Sequence, residues 1–314
     1  MPWGGCARPR DAKHWRGLQA EELMRAMQRI FAASLLAASG VASGQALAAT
    51  CQDPAGFEKW LGDIRREAAA QGISQQAINA GLAGVAYDQS VIRRDRGQRF
   101  FRQSFEQFAA KMVPPYRIQK GSSLLRQHAG LLARIEERFG VPGPILVAIW
   151  GLESDFGAAR GNLPVLRSVA TLAYDCRRSD LFREQLFAAL KIIDRGDLTP
   201  GDMRGAWAGE IGQTQFMAAN YLKYAVDFDG DGRRDLIRSV PDVLASTANY
   251  LRAHGWQRGG GWDPGSPNYA ALREWNKSAV YAQTIGYFAS RLAGSSSRAS
   301  DDRRVGASAS PAAR

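Results

Sequence analysis

The spacing of apolar residues along the chain predicts a protein built mainly of α-helices. From Phe57 to about Phe108, apolar side chains recur three and four residues apart, which is the period of one helix face. Ser74 follows a glycine break and is placed to cap a helix over residues 75–82. The same reasoning predicts further helices over residues 121–139, 144–157, 178–194, 218–226, 241–254 and 277–292. Strand-like alternation is scarce.

The predicted helix over residues 144–157 is apolar on nearly every face, which is typical of a buried helix. Glu153 lies four residues after Ile149 and therefore projects from a buried side, with no Lys or Arg within one turn. Burial without a cation raises the pKa of a carboxyl group, as a general acid near neutral pH requires. The alternative is a structural glutamate that is bonded to the backbone or paired with a distant arginine.

Both ends of the chain differ in composition from its centre. Residues 24–50 combine a basic start, a short apolar run and an Ala-x-Ala site, which predicts a secretory signal peptide. Residues 1–23 are then a start-site extension, and a retained N-terminal anchor is the alternative. Cys51 is not predicted to be a lipid-attachment site, because Thr50 precedes it. Residues 295–314 are rich in Ser, Ala and Arg and are predicted to be a disordered tail.

Charge and cysteine content narrow the partner and the compartment. The formal net charge of +11 suits an anionic partner, but the sequence has neither a long basic run nor a nucleic-acid motif, so we expect no nucleic acid. Export would remove Cys6 and leave Cys51 and Cys176 in an oxidising compartment. We predict a disulfide between these two; two unpaired thiols are the alternative.

An aspartate-rich loop at residues 227–235 resembles most of an EF-hand. Arg238 occupies the twelfth position, where a bidentate glutamate is normal, and Asp242 could supply that oxygen from a slightly longer loop. The sequence therefore predicts a structural Ca²⁺ site, with a turn that binds no metal strongly as the alternative. The predicted ligands are Asp227, Asp229, Asp231, Arg233 at the position that uses a backbone carbonyl, and Asp242.

Several motifs, in order, resemble the membrane-bound lytic murein transglycosylase B family. They are residues 95–101 (DRGQRFF), 149–157 (IWGLESDFG), 170–178 (ATLAYDCRR) and 207–217 (WAGEIGQTQFM). The resemblance extends from about residue 57 to residue 294. It implies a lysozyme-like helical catalytic domain over residues 116–294, with an N-terminal helical segment over residues 51–115.

The resemblance also implies an activity. Glu153 would be the single acid/base that cleaves the β-1,4 bond between N-acetylmuramic acid and N-acetylglucosamine and leaves 1,6-anhydro ends. We expect a periplasmic monomer that acts on peptidoglycan glycan strands, needs no cofactor for catalysis and has cell-wall synthesis or division proteins as possible partners. Gln213, Gln215, Arg177 and Arg178 suit sugar and carboxylate groups, and Asn276 and Tyr281 match family positions near the glutamate.

Two other functions stay open at this point. A muramidase would need a second carboxylate, which Glu210 or Asp155 could supply, although for Glu210 a salt-bridged structural role is the preferred interpretation. A non-catalytic wall-binding scaffold is suggested by Ala206, where family members often have serine, and by a short stretch over residues 255–269. The chain also lacks the proline that usually follows the methionine at Met217.

Overall fold

Thirteen α-helices and two very short strands make up the described part of the chain. The computed structural model describes residues 53–97 and 103–307, with side chains as far as residue 294. The helices are α1 Phe57–Ala70, α2 Gln75–Gly81, α3 Gln89–Arg96, α4 Phe105–Met112, α5 Pro115–Gln127, α6 Ala129–Phe139, α7 Gly143–Ser154, α8 Val165–Tyr174, α9 Ser179–Asp194, α10 Ala218–Tyr224, α11 Val240–Ala253, α12 Pro267–Trp275 and α13 Ala279–Ala307. Strands β1 (Leu163–Pro164) and β2 (Arg204–Gly205) pair antiparallel.

Local capping chemistry sets several helix starts. The Ser74 side chain accepts a hydrogen bond from the backbone amide of Ala77, so the predicted cap is confirmed. Ser104 and Gln107 form a capping box at the start of α4. Helix α5 begins at Pro115, six residues before the predicted start at residue 121, because proline fits the first turn, where its missing N–H is not needed.

Helix α7 lies at the centre of the fold. All its residues except Pro144 are buried, which confirms the prediction from its apolar faces. Helices α5, α6, α11 and α13 pack around it. Gly151 lets α13 approach closely, because a Cβ atom at this position would lie 2.9 Å from the ring of Phe288. The residues at the end of α7 are therefore held from several sides at once.

The N-terminal helices share the hydrophobic core of the rest of the protein. Helix α2 packs on α9, α3 on α8 and α4 on α13. Phe57 and Tyr174 lie edge to face with ring centroids 5.4 Å apart, which joins α1 to α8. One continuous apolar cluster extends from Phe57 to Leu292. The segment that precedes residue 115 thus helps to shape the fold around α7.

Two predictions differ from the structure near the C-terminus. Helix α12 is absent from the predicted helices, because it is short and weakly patterned. Helix α13 continues to Ala307, into the predicted tail of residues 295–314, whose disorder stays a prediction. No proline occurs between Gly294 and Pro311, so no residue in this part of the sequence removes a helical hydrogen bond.

The N-terminal predictions fall mostly outside the described residues. The extension 1–23, the signal peptide 24–50 and Cys51 all lie there. Cys176 is disulfide-bonded, and its partner is also outside the described part, so the pairing with Cys51 stays a prediction. Within the residues that the structure describes, none of the helices has the length and apolar character to cross a membrane.

We expect two glycine substitutions to have opposite effects on stability. Gly151→Ala should lower the free energy of unfolding by about 1–3 kcal/mol, because its methyl group would meet the Phe156 and Phe288 rings at 2.8–2.9 Å. Gly130→Ala is the matched control on α6, where nothing lies within 4 Å, and it should raise stability by about 0.5–1 kcal/mol. Urea unfolding curves measure both, and equal effects would contradict the packing argument.

Candidate active site

A buried carboxyl group lies near the end of the central helix. Glu153 on α7 is 1% exposed, and its side chain reaches towards α12 and α13. Trp275 at the end of α12 donates from Nε1 to Oε1 of Glu153 at 2.9 Å. The Tyr281 hydroxyl on α13 donates to the same oxygen at 2.8 Å. Two donors from separate helices thus fix one carboxyl oxygen, and among the described residues none bonds to Oε2.

This environment raises the pKa of Glu153 to about 8. Burial is the main cause, and any negative charge on the neighbouring Glu210 adds to it, while the hydrogen bonds from Trp275 and Tyr281 oppose it. Burial and the neighbouring Glu153 charge also raise the pKa of Tyr281 well above its ordinary value, so its hydroxyl keeps its proton. At neutral pH the protonated acid is therefore the main form of Glu153, with Oε2 available to carry the proton.

The chain leaves α7 through an unusual turn. Asp155 has a φ of 51°, Phe156 of 61° and Gly157 of 83°, so three successive residues are left-handed. This conformation is costly for a bulky side chain such as Phe156 and persists where contacts enforce it. The Ser154 hydroxyl supplies one such contact, because it accepts from the Gly157 amide at 2.8 Å and donates to the Gln213 carbonyl. The turn thus joins α7 to the segment that holds Gln213.

Both predicted glutamines lie in a turn that packs on α7. The Gln213 side chain accepts from Trp150 Nε1 at 2.8 Å and donates to the Ile237 carbonyl at 3.0 Å. Its amide is therefore engaged within the protein. Gln215 has a left-handed φ of 55° and donates to the carbonyls of Gly212 and Arg160 at 2.7 and 3.2 Å. Among the described residues no donor bonds to its side-chain oxygen, which makes Gln215 the glutamine better placed to contact a ligand.

The two candidates for a second carboxylate differ in environment. Glu210 is 3% exposed. It makes no ion pair among the described residues, and its salt-bridged structural role stays a prediction. Its Oε2 accepts from the Ala208 amide at 3.2 Å, and burial raises the pKa of its carboxyl group. Asp155 instead pairs with Arg117, with Nε and Oδ1 3.3 Å apart. Burial thus favours the neutral form of the Glu210 carboxyl group, whereas the Asp155 carboxylate is paired with a cation.

The predicted carboxylate-binding arginines are engaged with an aspartate of α3. Arg177 Nε donates to Oδ2 of Asp95 at 2.6 Å, and Arg178 pairs with Oδ1 of the same side chain. Asp95 is buried, so this cluster ties α3 to the segment after α8. Arg177 is still 37% exposed, whereas Arg178 is only 14% exposed. Of the two, Arg177 therefore offers more surface to a ligand.

One site residue was missed by sequence reasoning. Asn276 and Tyr281 were predicted near Glu153, and the structure places the Tyr281 hydroxyl directly on it. The buried Asn276 accepts the Ser278 amide at 2.9 Å, which shapes the link between α12 and α13. Trp275 was not predicted, although it directly precedes Asn276 in the sequence. A tryptophan directly before Asn276 was the available signal, because an indole N–H that is taken out of water needs an acceptor.

The aspartate-rich loop lies between α10 and α11. Carboxylate oxygens of Asp227, Asp229 and Asp242 all lie within 4.8 Å of one another, a spacing and ligand type that fit a hard cation such as Ca²⁺. Asp231 and Arg233 are outside this group, since Asp231 Oδ1 instead accepts the Arg233 amide at 2.8 Å. The loop leads directly to the Leu236 carbonyl, which accepts the Gln213 amide at 2.9 Å. The loop therefore supports the glutamine turn.

Comparison of the chain with known protein families agrees with this geometry. A family model described as a transglycosylase SLT domain matches residues 56–266, which is more than half of the chain. The chain belongs to this transglycosylase family. The match ends before Trp275 and Tyr281, so both donors to Glu153 come from the chain beyond the matched domain.

Relatives found by sequence and by structure support this assignment. Membrane-bound lytic murein transglycosylase B of Escherichia coli is 36% identical over 169 residues, which cover 51% of this chain and 46% of that protein. The chain thus matches about half the length of this relative. SltB3 of Pseudomonas aeruginosa, solved in complex with NAG-anhNAM-pentapeptide, is 34% identical with a TM-score of 0.72 over 76% of this chain and 80% of that chain.

A third relative supports the fold alone. The E. coli lytic transglycosylase SLT35, solved in complex with calcium, is 24% identical with a TM-score of 0.67 over 78% of this chain and 94% of that chain. The mainly helical, lysozyme-like fold expected from the sequence is thereby confirmed.

We expect the buried acid of this transglycosylase-family protein to lower its stability as pH rises. The folded pKa of Glu153 is about 8 against 4.5 for a free glutamate, so between these values only the unfolded chain ionises and the free energy of unfolding falls. Glu153→Gln should remove this loss and stabilise the fold by a few kcal/mol at about pH 8 but hardly at about pH 4.5.

Urea unfolding at these two pH values measures the effect. Glu274→Gln, at a largely exposed carboxylate on α12, is the control and should leave the pH dependence as it is in the unsubstituted protein. A Glu153→Gln curve parallel to that of the unsubstituted protein would contradict the raised pKa.

Proposed function

We propose that this protein is a lytic transglycosylase that cleaves the β-1,4 bond between N-acetylmuramic acid and N-acetylglucosamine in peptidoglycan. The observation that carries the proposal is the state of Glu153, a buried acid with one oxygen held by two donors and the other bonded to none of the described residues. Such a group can deliver a proton and then take one back without a second carboxylate. The family to which the chain belongs agrees with this chemistry.

Glu153 acts first as a general acid. With a pKa of about 8, its protonated form outweighs the carboxylate about tenfold at neutral pH. The proton resides on Oε2, because Oε1 accepts from Trp275 and Tyr281. It passes to the glycosidic oxygen as the bond from that oxygen to C1 of the muramoyl residue breaks. The substrate's own acetamido group shelters the positive charge that develops at C1.

The same residue then acts as a general base. The Glu153 carboxylate takes the proton of the muramoyl C6 hydroxyl, whose oxygen forms the new bond to C1. The product is a 1,6-anhydro ring, no water is consumed, and Glu153 regains its proton for the next cycle. Trp275 and Tyr281 stabilise the carboxylate between the two steps, since charge-assisted hydrogen bonds are stronger than neutral ones.

The remaining predicted site residues are assigned to substrate binding within this proposal. Gln215 offers a side-chain oxygen to sugar hydroxyl or acetamido groups, and Gln213 and Asn276 hold the surrounding turns. Arg177 offers its exposed edge to stem-peptide carboxylates, with Arg178 beside it on Asp95. The relative SltB3 was solved with a NAG-anhNAM-pentapeptide, a ligand with this combination of groups. We further propose a periplasmic location, from the signal-peptide pattern of residues 24–50.

The muramidase alternative has weaker support. A hydrolytic mechanism needs an ionised partner across the sugar ring. Burial holds Glu210 towards its neutral form, and Asp155 is paired with Arg117. The scaffold alternative is based on Ala206 and on the short stretch over residues 255–269. Neither supplies a hydrogen bond to Glu153, whose donors are Trp275 and Tyr281.

Product analysis tests the activity. Purified sacculi treated with the protein should release muropeptides that end in anhydro-muramic acid and are lighter by one water than hydrolysed products. Glu153→Gln should lower the rate by at least about a hundredfold, since it keeps the shape but removes the proton. Glu274→Gln is the matched surface control and should retain activity.

Mass spectrometry of the released products distinguishes the transglycosylase, the muramidase and the scaffold. Reducing-end products would replace the proposal with a muramidase. Sacculus binding without any released product would support the scaffold.

We also propose that the aspartate-rich loop binds Ca²⁺ as a structural ion. Asp227, Asp229 and Asp242 would hold it, with their oxygens already converging. Burial raises the pKa of the Asp242 carboxyl group, so a cation beside it would relieve the cost of its charge. The ion would stabilise the loop that leads to Gln213, and no step of the reaction passes through it.

We therefore expect Ca²⁺ to raise the melting temperature of the protein. At a free concentration about a hundredfold above the dissociation constant, the gain is about 2.7 kcal/mol in the free energy of unfolding. Asp229→Asn should abolish the shift, whereas Asp263→Asn, on an exposed loop outside the cluster, should keep it. Thermal unfolding with Ca²⁺, with Mg²⁺ and with chelator measures the effect, and equal shifts with both metals would argue against a built Ca²⁺ site.

A further inference from the structure

A buried arginine connects three helices around the candidate active site. Arg117, in the first turn of α5, is only 1% exposed. Its Nη1 donates to the Met112 carbonyl at the end of α4 at 2.5 Å, and its Nη2 donates to the Tyr116 hydroxyl at 3.4 Å. Its Nε donates to Oδ1 of Asp155, in the turn that ends α7, at 3.3 Å. The guanidinium therefore spans the ends of two helices from the start of a third.

Stability alone gives a weak reason for this arrangement. A buried guanidinium is costly unless a close, well-oriented counter-ion compensates it, and apolar replacements of buried pairs are often neutral or stabilising. Asp155 is the acidic residue within ion-pair distance of Arg117 in the described part of the chain, and it is 27% exposed. Water around Asp155 screens the pair, so its contribution to folding is small. A role in the chemistry of the neighbouring acid accounts better for a cation at this position.

The position of Arg117 relates it to Glu153 in two ways. Its positive charge acts on the Tyr281 hydroxyl, where it opposes the rise in pKa that burial causes, and that hydroxyl donates to Glu153. Through Asp155 it also holds the residue two places after Glu153, in the left-handed conformation that ends the helix. One side chain thus bears on both the proton donor to Glu153 and the backbone that carries Glu153.

We propose that Arg117 is a positioning residue for the reaction of Glu153. It holds the left-handed exit of α7 through Asp155, and through Tyr281 it stabilises the carboxylate that Glu153 becomes when it gives up its proton. Asp155 moderates this effect as the counter-ion of Arg117. The inference rests on the proposed function, because it assigns the cation a part in the acid/base cycle. A fixed charge placed where negative charge develops is the usual means of such stabilisation.

Other charged groups lie in the same region, and they are not themselves substituted in the experiment described below. Glu210 approaches Glu153 from the turn before α10, with Arg178 acting on Glu210 in turn. Lys120 on α5 lies 3.8 Å from Oδ2 of Asp155. Asp155→Asn also removes the counter-ion of Lys120, so the Arg117 variant isolates the contribution of Arg117 to the titration of Glu153.

The decisive experiment substitutes each partner of the pair separately. Arg117→Met keeps an apolar stem like that of arginine but removes the guanidinium cation, so the pKa of Glu153 should rise by about half a unit to one unit. Asp155→Asn removes the counter-ion and leaves Arg117 unmatched, so the pKa of Glu153 should fall by a similar amount. Asparagine tolerates the left-handed conformation, which preserves the turn.

Two readouts follow the shift. The high-pH limb of kcat in muropeptide release reports the loss of the acid form, and ¹³C NMR of labelled glutamate carboxyl groups reports the pKa of Glu153 directly. Arg183→Met is the matched control, because its pair with Glu67 links α9 to α1 without touching the site. It should leave both readouts unchanged.

Opposite shifts from the two partners would support the inference. Unchanged titration in both variants, or shifts of the same sign, would overturn it, because a purely structural pair would lower stability without separating the two signs. If Arg117→Met fails to fold, Arg117→Gln, which also removes the cation, takes its place: a raised pKa of Glu153 supports the inference, and an unchanged pKa overturns it. If the unsubstituted protein releases no muropeptides, the proposed function fails, while the NMR titration still tests the effect of the pair on Glu153.

Discussion

The rest of this structure depends on the burial of one carboxyl group in an apolar helix. Helix α7 is enclosed by other helices, and Glu153 lies in its last turn with 1% of its surface exposed. In water a carboxylate is stable at neutral pH, but burial reverses that preference and raises the pKa of Glu153 to about 8. The protein thus keeps an acid in its protonated form at the expense of folding stability, which is common at sites under functional selection.

Several contacts limit this loss of folding stability and orient the Glu153 carboxyl group. Trp275 and Tyr281 donate to Oε1, and within the described part of the chain Oε2 has no hydrogen-bond partner. The left-handed turn at Asp155 and Phe156 ends the helix directly after the acid, and the Ser154 hydroxyl ties that turn to Gln213. The acid is therefore held from its own backbone, from two other helices and from the glutamine turn.

The surrounding elements have supporting roles that their sequences do not reveal individually. The aspartate-rich loop leads to the carbonyl that accepts the Gln213 amide, so order in the loop reaches the site through backbone hydrogen bonds. The buried Asp95 holds two arginines and joins α3 to the segment after α8. The N-terminal helices thus belong to the architecture of the site, and their apolar faces complete its core.

The sequence alone determined the features that depend on local order. Helix periodicity placed most of the helices, serine chemistry placed the start of α2, and the apolar faces of α7 predicted both the burial of Glu153 and its raised pKa. Only the tertiary structure decided which groups meet. The donors to Glu153 lie 122 and 128 residues away, and Arg117 lies 38 residues from Asp155. Such pairs arise from helix packing, and no local period encodes them. The same reason explains why Trp275 was missed and why the predicted role of Gln213 differs from its contacts.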